Sequence, residues 1–295
     1  MRLKKDKNNM TRKNIFEILN EHYDIVKEMT KIHELMECIV ITDFNPTNYQ
    51  STQRTIEQMF ELYLFPLWQQ RGSYMNCAEM RTVLKLTTTF SIKKMDELIR
   101  TLEYYTNIIT WLNSRLNIVM NITRFQAPIE YRMLCKNIDI LLEHLNYEKI
   151  IFEGEQKVIL VPKDPAGKAV AEIASNKDIA FAILKYNHAS LKGDLFEKKR
   201  LLVSIASEYE ALLDNPTTGF SPFFDKTNAL LNLLNLRHNN TKGRHKNDLV
   251  ANMPKEELEK WYDELYQLLL FCILIKDNVK RKDEIDGLLK KLRKK

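Results

Sequence analysis

The sequence has few of the residues that interrupt helices. Only seven glycines and eight prolines occur among its 295 residues, which disfavours a turn-rich β fold and favours long helices. Hydrophobic residues make up 44% of the chain, which is enough to bury a sizeable core and excludes a wholly disordered protein. The length suits one large domain or two of ordinary size.

Cysteine is also scarce, and no CxxC pair occurs. The four cysteines, each among apolar neighbours, are Cys38, Cys77, Cys135 and Cys272. This setting is typical of small buried thiols rather than of metal ligands or disulfides. The longest apolar run, residues 268–275, is too short to span a bilayer, and the basic N-terminus precedes an amphipathic helix rather than a signal core. We therefore expect a reduced, cytoplasmic protein without a membrane segment.

The usual enzyme signatures are missing. The sequence contains no GxGxxG, P-loop, HExxH or GxSxG motif, so nucleotide-binding, zincin and α/β-hydrolase functions lose their usual support. Four histidines are scattered over different predicted helices and offer no converging metal ligands: His22, His33, His144 and His188. The net charge of +6 is mild, so nucleic-acid binding has to be argued from local clusters of charge.

Hydrophobic periodicity predicts a mainly α, multi-helix protein. From Ser91 to Val119, apolar residues recur at heptad-like spacing, which predicts one long helix. This helix either packs within the monomer or forms half of a dimer seam. Residues 38–41 form a short β-like run, and a second helix is expected from Ser51. The basic tail, residues 280–295, predicts a solvated amphipathic helix, with a nucleic-acid patch as the alternative.

The clearest β signal is one small hairpin. Residues 149–161 form two apolar runs around Gly154, a pattern that a type II′ turn accepts. Pro162 ends the second run and marks a soft domain boundary. We therefore divide the chain into an N-terminal helical region of unknown role, residues 1–162, and a C-terminal helical domain with the basic tail, residues 163–295.

One stretch joins an apolar helix to a cationic loop. Residues 228–236 contain five leucines and predict a buried helix, whereas residues 237–246, here called the basic loop, hold two histidines, four basic side chains and no carboxylate. Four asparagines share one helical face: Asn228, Asn232, Asn235 and Asn239. One interpretation is that these side chains form buried hydrogen bonds across a helix pair or cap a partner helix. The other is that they form a solvated polar surface.

The residue types of the basic loop suit phosphate chemistry. Histidine exchanges a proton near neutral pH, and arginine offers a permanently charged fork of donors that matches a phosphate. Cleavage of RNA through its own 2′-hydroxyl needs a base for that hydroxyl and a cation at the phosphate, but no metal. Lys242, Arg244 and Lys246 would hold the RNA backbone by charge. The competing interpretation is that Arg237 only caps the helix C-terminus and that the loop histidines are exposed.

These residues resemble the signature of HEPN-type ribonucleases, and most closely that of abortive-infection proteins with this domain. The matching motif reads Leu234-Asn235-Leu236-Arg237-His238-Asn239-Asn240. The segment 257–266 is also similar, and the resemblance covers roughly residues 168–278. It implies a C-terminal HEPN-like helical bundle, a homodimer with a composite site at its interface, and metal-independent RNA cleavage that leaves a cyclic phosphate.

The resemblance also implies roles for individual residues. Arg237 would bind and polarise the phosphate, His245 would be the acid/base, and His238 would fill the second polar position. The implied RNA contacts are Asn239, Asn240, Lys242, Arg244 and Lys246. The family separates its Arg and His by four to six residues, whereas seven lie between Arg237 and His245. Either the loop bulges at Gly243, or His238 is the active imidazole, or this copy is inactive.

Two functions are therefore carried forward from the sequence. The first is an endoribonuclease of an antiphage (abortive-infection) or toxin–antitoxin system, with RNA as substrate, no metal or other cofactor, a homodimeric state, and an antitoxin or sensor as further partner. The second is a non-catalytic helical module that binds nucleic acid or protein through the same basic loop.

Overall fold

Helices form most of the structure, as the sequence predicts. The computed structural model describes residues 15, 23–45, 47, 49–117, 124–211, 221–237 and 249–293. The chain divides into two units, Met1–Leu145 and Asn146–Lys295. Among the described helices, none combines the length and the apolar character that a bilayer crossing requires.

The first unit combines helices with a small antiparallel sheet. Its elements are α1 (Ile25–Cys38), β1 (Val40–Asn45), β2 (Gln50–Thr55), α2 (Ile56–Tyr63), α3 (Cys77–Val83), α4 (Met95–Leu116), β3 (Phe125–Gln126) and α5 (Ile129–His144). The strand order is β2-β1-β3, and the β1–β2 register runs from Val40 opposite Thr55 to Asn45 opposite Gln50. The hairpin that the sequence predicts is therefore not the protein's only β structure.

The prediction of a helix from Ser51 was wrong, because residues 50–55 form strand β2. This edge strand reads Gln-Ser-Thr-Gln-Arg-Thr and exposes most of its side chains, so it has none of the alternating apolar residues that announce a strand. The helix starts five residues later. Thr55 and Gln58 form a reciprocal capping box at its first turn.

The heptad-like stripe of α4 packs within the first unit. Leu98, Leu102 and Leu112 are fully buried, and α4 contacts α1, α2 and α5. Of the two interpretations of this stripe, the described residues show packing within the monomer. Val119, at the predicted end of the stripe, lies outside the described residues.

The second unit begins with a two-stranded hairpin and continues in helices. Its elements are β4 (Tyr147–Phe152), β5 (Lys157–Pro162), α6 (Pro165–Ile173), α7 (Lys177–Lys185), α8 (Leu195–Ala211), α9 (Ser221–Leu233), α10 (Leu249–Asn252) and α11 (Lys255–Leu292). Helix α11 packs against α6, α8 and α9. Their shared core includes Leu202, Ile205, Leu231, Leu265 and Leu269, all fully buried.

The hairpin differs from its prediction in its turn and in its place. Residues 153–156 connect the strands through a 3₁₀ turn that ends with Gln156 at φ 50°, instead of a two-residue type II′ turn at Gly154. The hairpin also belongs to the second unit, whereas the sequence placed the boundary after it, at 162/163. The reason is packing, since β5 contacts α7 and Phe152 meets Phe181 edge to face, with ring centroids 5.0 Å apart.

The cysteines are free thiols in three different settings. Cys77 and Cys272 are buried, as predicted. Cys135 is half-buried, and Cys38, the last residue of α1, is exposed. The prediction of a buried thiol was therefore wrong for Cys38.

Candidate functional site

Arg237 follows a helix end whose geometry is fixed by a Schellman motif. Helix α9 ends at Leu233, and the amide of Leu236 donates to the carbonyl of Leu231 at 2.9 Å while that of Asn235 donates to Asn232 at 3.2 Å. Asn235 adopts the left-handed conformation (φ 55°) that this motif requires at the residue after the cap. Leu236 is buried, and the side chain of Arg237 reaches back to Asn228 on α9.

The Arg237 side chain is held by two oxygen acceptors. Its Nε donates to Oε1 of Glu210, near the end of α8, at 2.5 Å. Its Nη2 donates to Oδ1 of Asn228, on α9, at 2.7 Å. The side chain is 20% exposed and that of Glu210 is 43% exposed, so the ion pair lies at the protein surface.

A buried tyrosine orients the asparagine of this group. The hydroxyl of Tyr209 donates to Oδ1 of Asn228 at 3.0 Å and approaches the carbonyl of Phe224 at 3.2 Å. Burial is the main cause that raises the pKa of Tyr209, so its hydroxyl stays a neutral donor. Tyr209, Asn228, Arg237 and Glu210 therefore form a chain of hydrogen bonds that runs from the core to the surface.

The electrostatics of this chain leave Arg237 only partly available to another anion. One carboxylate already neutralises the guanidinium, which has five donor hydrogens. Among the described residues, Nη1 has no hydrogen-bond partner. An incoming phosphate would therefore bind at Nη1 or replace Glu210 on the Nε side.

The structure tests only part of the asparagine face. Asn228 accepts hydrogen bonds, as expected of a residue in a buried hydrogen-bond network. Asn235 is the left-handed residue that follows the helix cap, and Asn232 is exposed. The oxygen Oδ1 of Asn235 is buried and has no hydrogen-bond partner within the described ranges. These three asparagines thus have three different roles rather than one shared face.

All other predicted site residues lie outside the described residues. They are His238, Asn239, Asn240, Lys242, Arg244, His245 and Lys246. The geometry between Arg237 and either histidine is therefore not part of the described structure. Within the described ranges, no three His, Cys, Asp or Glu side chains are grouped so as to hold a metal ion.

A second polar cluster, which the sequence analysis did not identify, joins α8 to α11. Lys198 is only 7% exposed, and its Nζ lies 2.9 Å from Glu259 and 2.7 Å from Asp263. Burial opposes ionisation of Glu259, but hydrogen bonds from the Gly193 amide and from Lys198 lower its pKa overall. The cluster borders an open cavity of about 480 Å³.

Aromatic rings continue this cluster into the protein. Tyr186 donates to Asp263 at 3.0 Å and stacks on Tyr266 with ring centroids 4.2 Å apart. Tyr266 in turn donates to Asp164 at 2.9 Å. Because the ammonium of Lys198, on α8, bridges two carboxylates of α11, we assign the cluster to the attachment of α8 to α11. The sequence contains one sign of this cluster, because Lys198 is a charged residue on the apolar stripe of α8 that Leu202 and Ile205 continue.

No protein-family model matches the chain, and neither a curated protein nor a solved structure matches it.

Proposed function

We propose that the protein is a metal-independent endoribonuclease of an antiphage (abortive-infection) or toxin–antitoxin system. Its HEPN-like domain, residues 163–295, would cleave RNA by attack of a 2′-hydroxyl. The observation that carries this proposal is the placement of Arg237, which is fixed by Glu210 and Asn228 at the position where the basic loop begins. A guanidinium that is already oriented loses little freedom when it binds a phosphate.

Each side chain has one function in the proposed reaction. An imidazole, of His245 or His238, removes the proton from the 2′-hydroxyl, whose oxygen attacks the adjacent phosphorus. Arg237 stabilises the charge that develops on the phosphoryl oxygens. The 5′-oxygen leaves and takes a proton, so the products are a 2′,3′-cyclic phosphate and a 5′-hydroxyl. Asn239, Asn240, Lys242, Arg244 and Lys246 would hold the RNA backbone.

The proposal includes partners. Two copies of the chain would form a homodimer, and an antitoxin or a sensor would control the activity. The N-terminal unit is available for such control, because Arg237 and the residues that position it all belong to the second unit.

One observation favours the second candidate, a non-catalytic module that binds nucleic acid or protein through the basic loop. Glu210 occupies the Nε side of Arg237, and a cation after a helix C-terminus is stabilising without any ligand. In this case RNA would bind more weakly as salt is added, yet would stay intact during long incubation.

Alanine substitution of the two loop histidines separates these functions. The wild-type protein, His238→Ala, His245→Ala and the double variant are incubated with RNA in EDTA, and growth inhibition is measured in cells. We expect each single change to slow cleavage and the double change to abolish both cleavage and toxicity. His144→Ala, on the exposed side of α5, is the control and should cleave normally. Undiminished cleavage by the double variant would reject the assignment.

A further inference from the structure

The C-terminal part of α11 carries an apolar stripe that no described residue covers. Helix α11 has 38 residues, and its N-terminal part is buried in the core of the second unit. Toward its end, Ile285 is 55% exposed, Leu288 57%, Leu289 41% and Leu292 60%. These four residues are spaced at i, i+3, i+4 and i+7, so they form one continuous face of the helix. Such a face is the kind of surface that another helix covers.

Charged residues border this stripe in a regular order. Glu284 and Lys291 directly precede Ile285 and Leu292 and therefore lie along one edge of the stripe. Asp286 and Arg293 directly follow the same two residues and lie along the other edge. All four charged side chains are exposed. Each edge thus has an acidic residue and, seven positions later, a basic one.

We propose that the stripe is covered by the same stripe of a second copy of the chain, in antiparallel orientation. In an antiparallel pair with twofold symmetry, equivalent edges meet. Glu284 then faces the second copy's Lys291, and Asp286 faces its Arg293, with every contact made twice. In a parallel pair opposite edges meet, so Glu284 would lie beside Asp286 and Lys291 beside Arg293. Charge complementarity therefore selects the antiparallel arrangement.

The size of the stripe sets the strength of this association. Four large side chains on each copy bury less than the roughly 800 Å² per partner of a standard interface. We therefore expect a concentration-dependent dimer with a dissociation constant of about micromolar size. The inference uses only residues 284–293 and does not depend on the proposed ribonuclease activity.

Sedimentation of the 295-residue chain tests whether the stripe forms a dimer interface. Over about 1 to 100 μM, the wild type should change from monomer to dimer. Leu288→Glu combined with Leu292→Glu places four carboxylates in the interface and should weaken association by at least roughly 100-fold. The control is Val203→Glu, which changes a residue that is 44% exposed on α8 and should dimerise normally. Circular dichroism checks that each variant is folded.

Charge reversal tests the orientation. Lys291→Glu and Glu284→Lys should each weaken association by roughly fivefold, because each brings like charges together twice. In the antiparallel pair the double reversal restores both opposite-charge contacts, so its affinity should return to that of the wild type. A parallel pair would respond in the other direction, because each single reversal there turns a like-charge contact into an opposite-charge one and strengthens association. Stronger association of the single variants would therefore contradict the antiparallel arrangement. The proposal is overturned by a wild type that is monomeric throughout, by stripe variants that dimerise normally, or by failure of the double reversal to restore affinity. Monomeric protein that binds anionic lipid vesicles through the stripe would also overturn it.

Discussion

The environment of a single arginine decides what the candidate site can do. Arg237 keeps one amino group without a partner among the described residues, while its other donors contact Glu210 and Asn228. A carboxylate is a close electrostatic mimic of a phosphate at a guanidinium, since both accept from its donor fork. In the proposed enzyme, Glu210 therefore competes with RNA for Arg237.

Removal of this competing charge gives the first prediction at the residue scale. Glu210→Gln keeps an acceptor for Nε but removes the negative charge, so RNA should bind about three- to fivefold more tightly, the equivalent of an exposed ion pair. The measurement is the dissociation constant of a 2′-O-methylated RNA, which cannot be cleaved by its own 2′-oxygen. Glu172→Gln, an exposed change on α6, is the control. Unchanged or weaker binding would show that Glu210 orients Arg237 rather than competing for it.

At the scale of the secondary-structure element, the end of α9 positions the site. The Schellman motif turns the chain at Asn235 and buries Leu236, and Arg237 follows at once. A left-handed residue costs energy for every amino acid that has a Cβ, although asparagine tolerates it better than most. The motif thus gives Asn235 a structural role that its periodic spacing alone did not reveal.

Substitution of Asn235 tests this assignment. Asn235→Gly removes the cost of the positive φ and an amide oxygen that is buried without a partner among the described residues, so the second unit should gain about 0.5–1 kcal/mol. Asn235→Ala retains a Cβ and loses the tolerance of asparagine, so it should destabilise by about 1 kcal/mol. Urea unfolding of both variants measures the difference. Equal stabilities would mean that the left-handed turn is not retained in solution.

The elements that the sequence predicts best are those with a strong apolar period. Helix α4 begins and ends within a few residues of its prediction. Strand β2 could not be predicted, because its residues are polar and its stability comes from pairing with β1. The hairpin strands were evident, but its four-residue turn depends on the left-handed Gln156, which no residue preference announces.

At the scale of the whole molecule, each unit has its own set of buried residues. The sequence indicates Arg237 and its neighbours on the chain as candidate residues, whereas its ion-pair partner Glu210, and Tyr209, which donates to Asn228, come from a different helix. Contacts of this kind are absent from a local pattern, because they depend on how α8 and α9 pack. The same limitation hid Lys198, whose carboxylate partners lie about sixty residues away on α11.

The central claim is that RNA supplies its own nucleophile and that no metal takes part. It is tested most directly by incubating the wild-type protein with a defined RNA in EDTA and determining the product ends by mass spectrometry. We predict fragments that end in a 2′,3′-cyclic phosphate, and no cleavage where the ribose before the scissile phosphate is replaced by 2′-deoxyribose. Cleavage that requires a divalent cation, or cleavage of the deoxy-substituted strand at the same bond, would contradict the account.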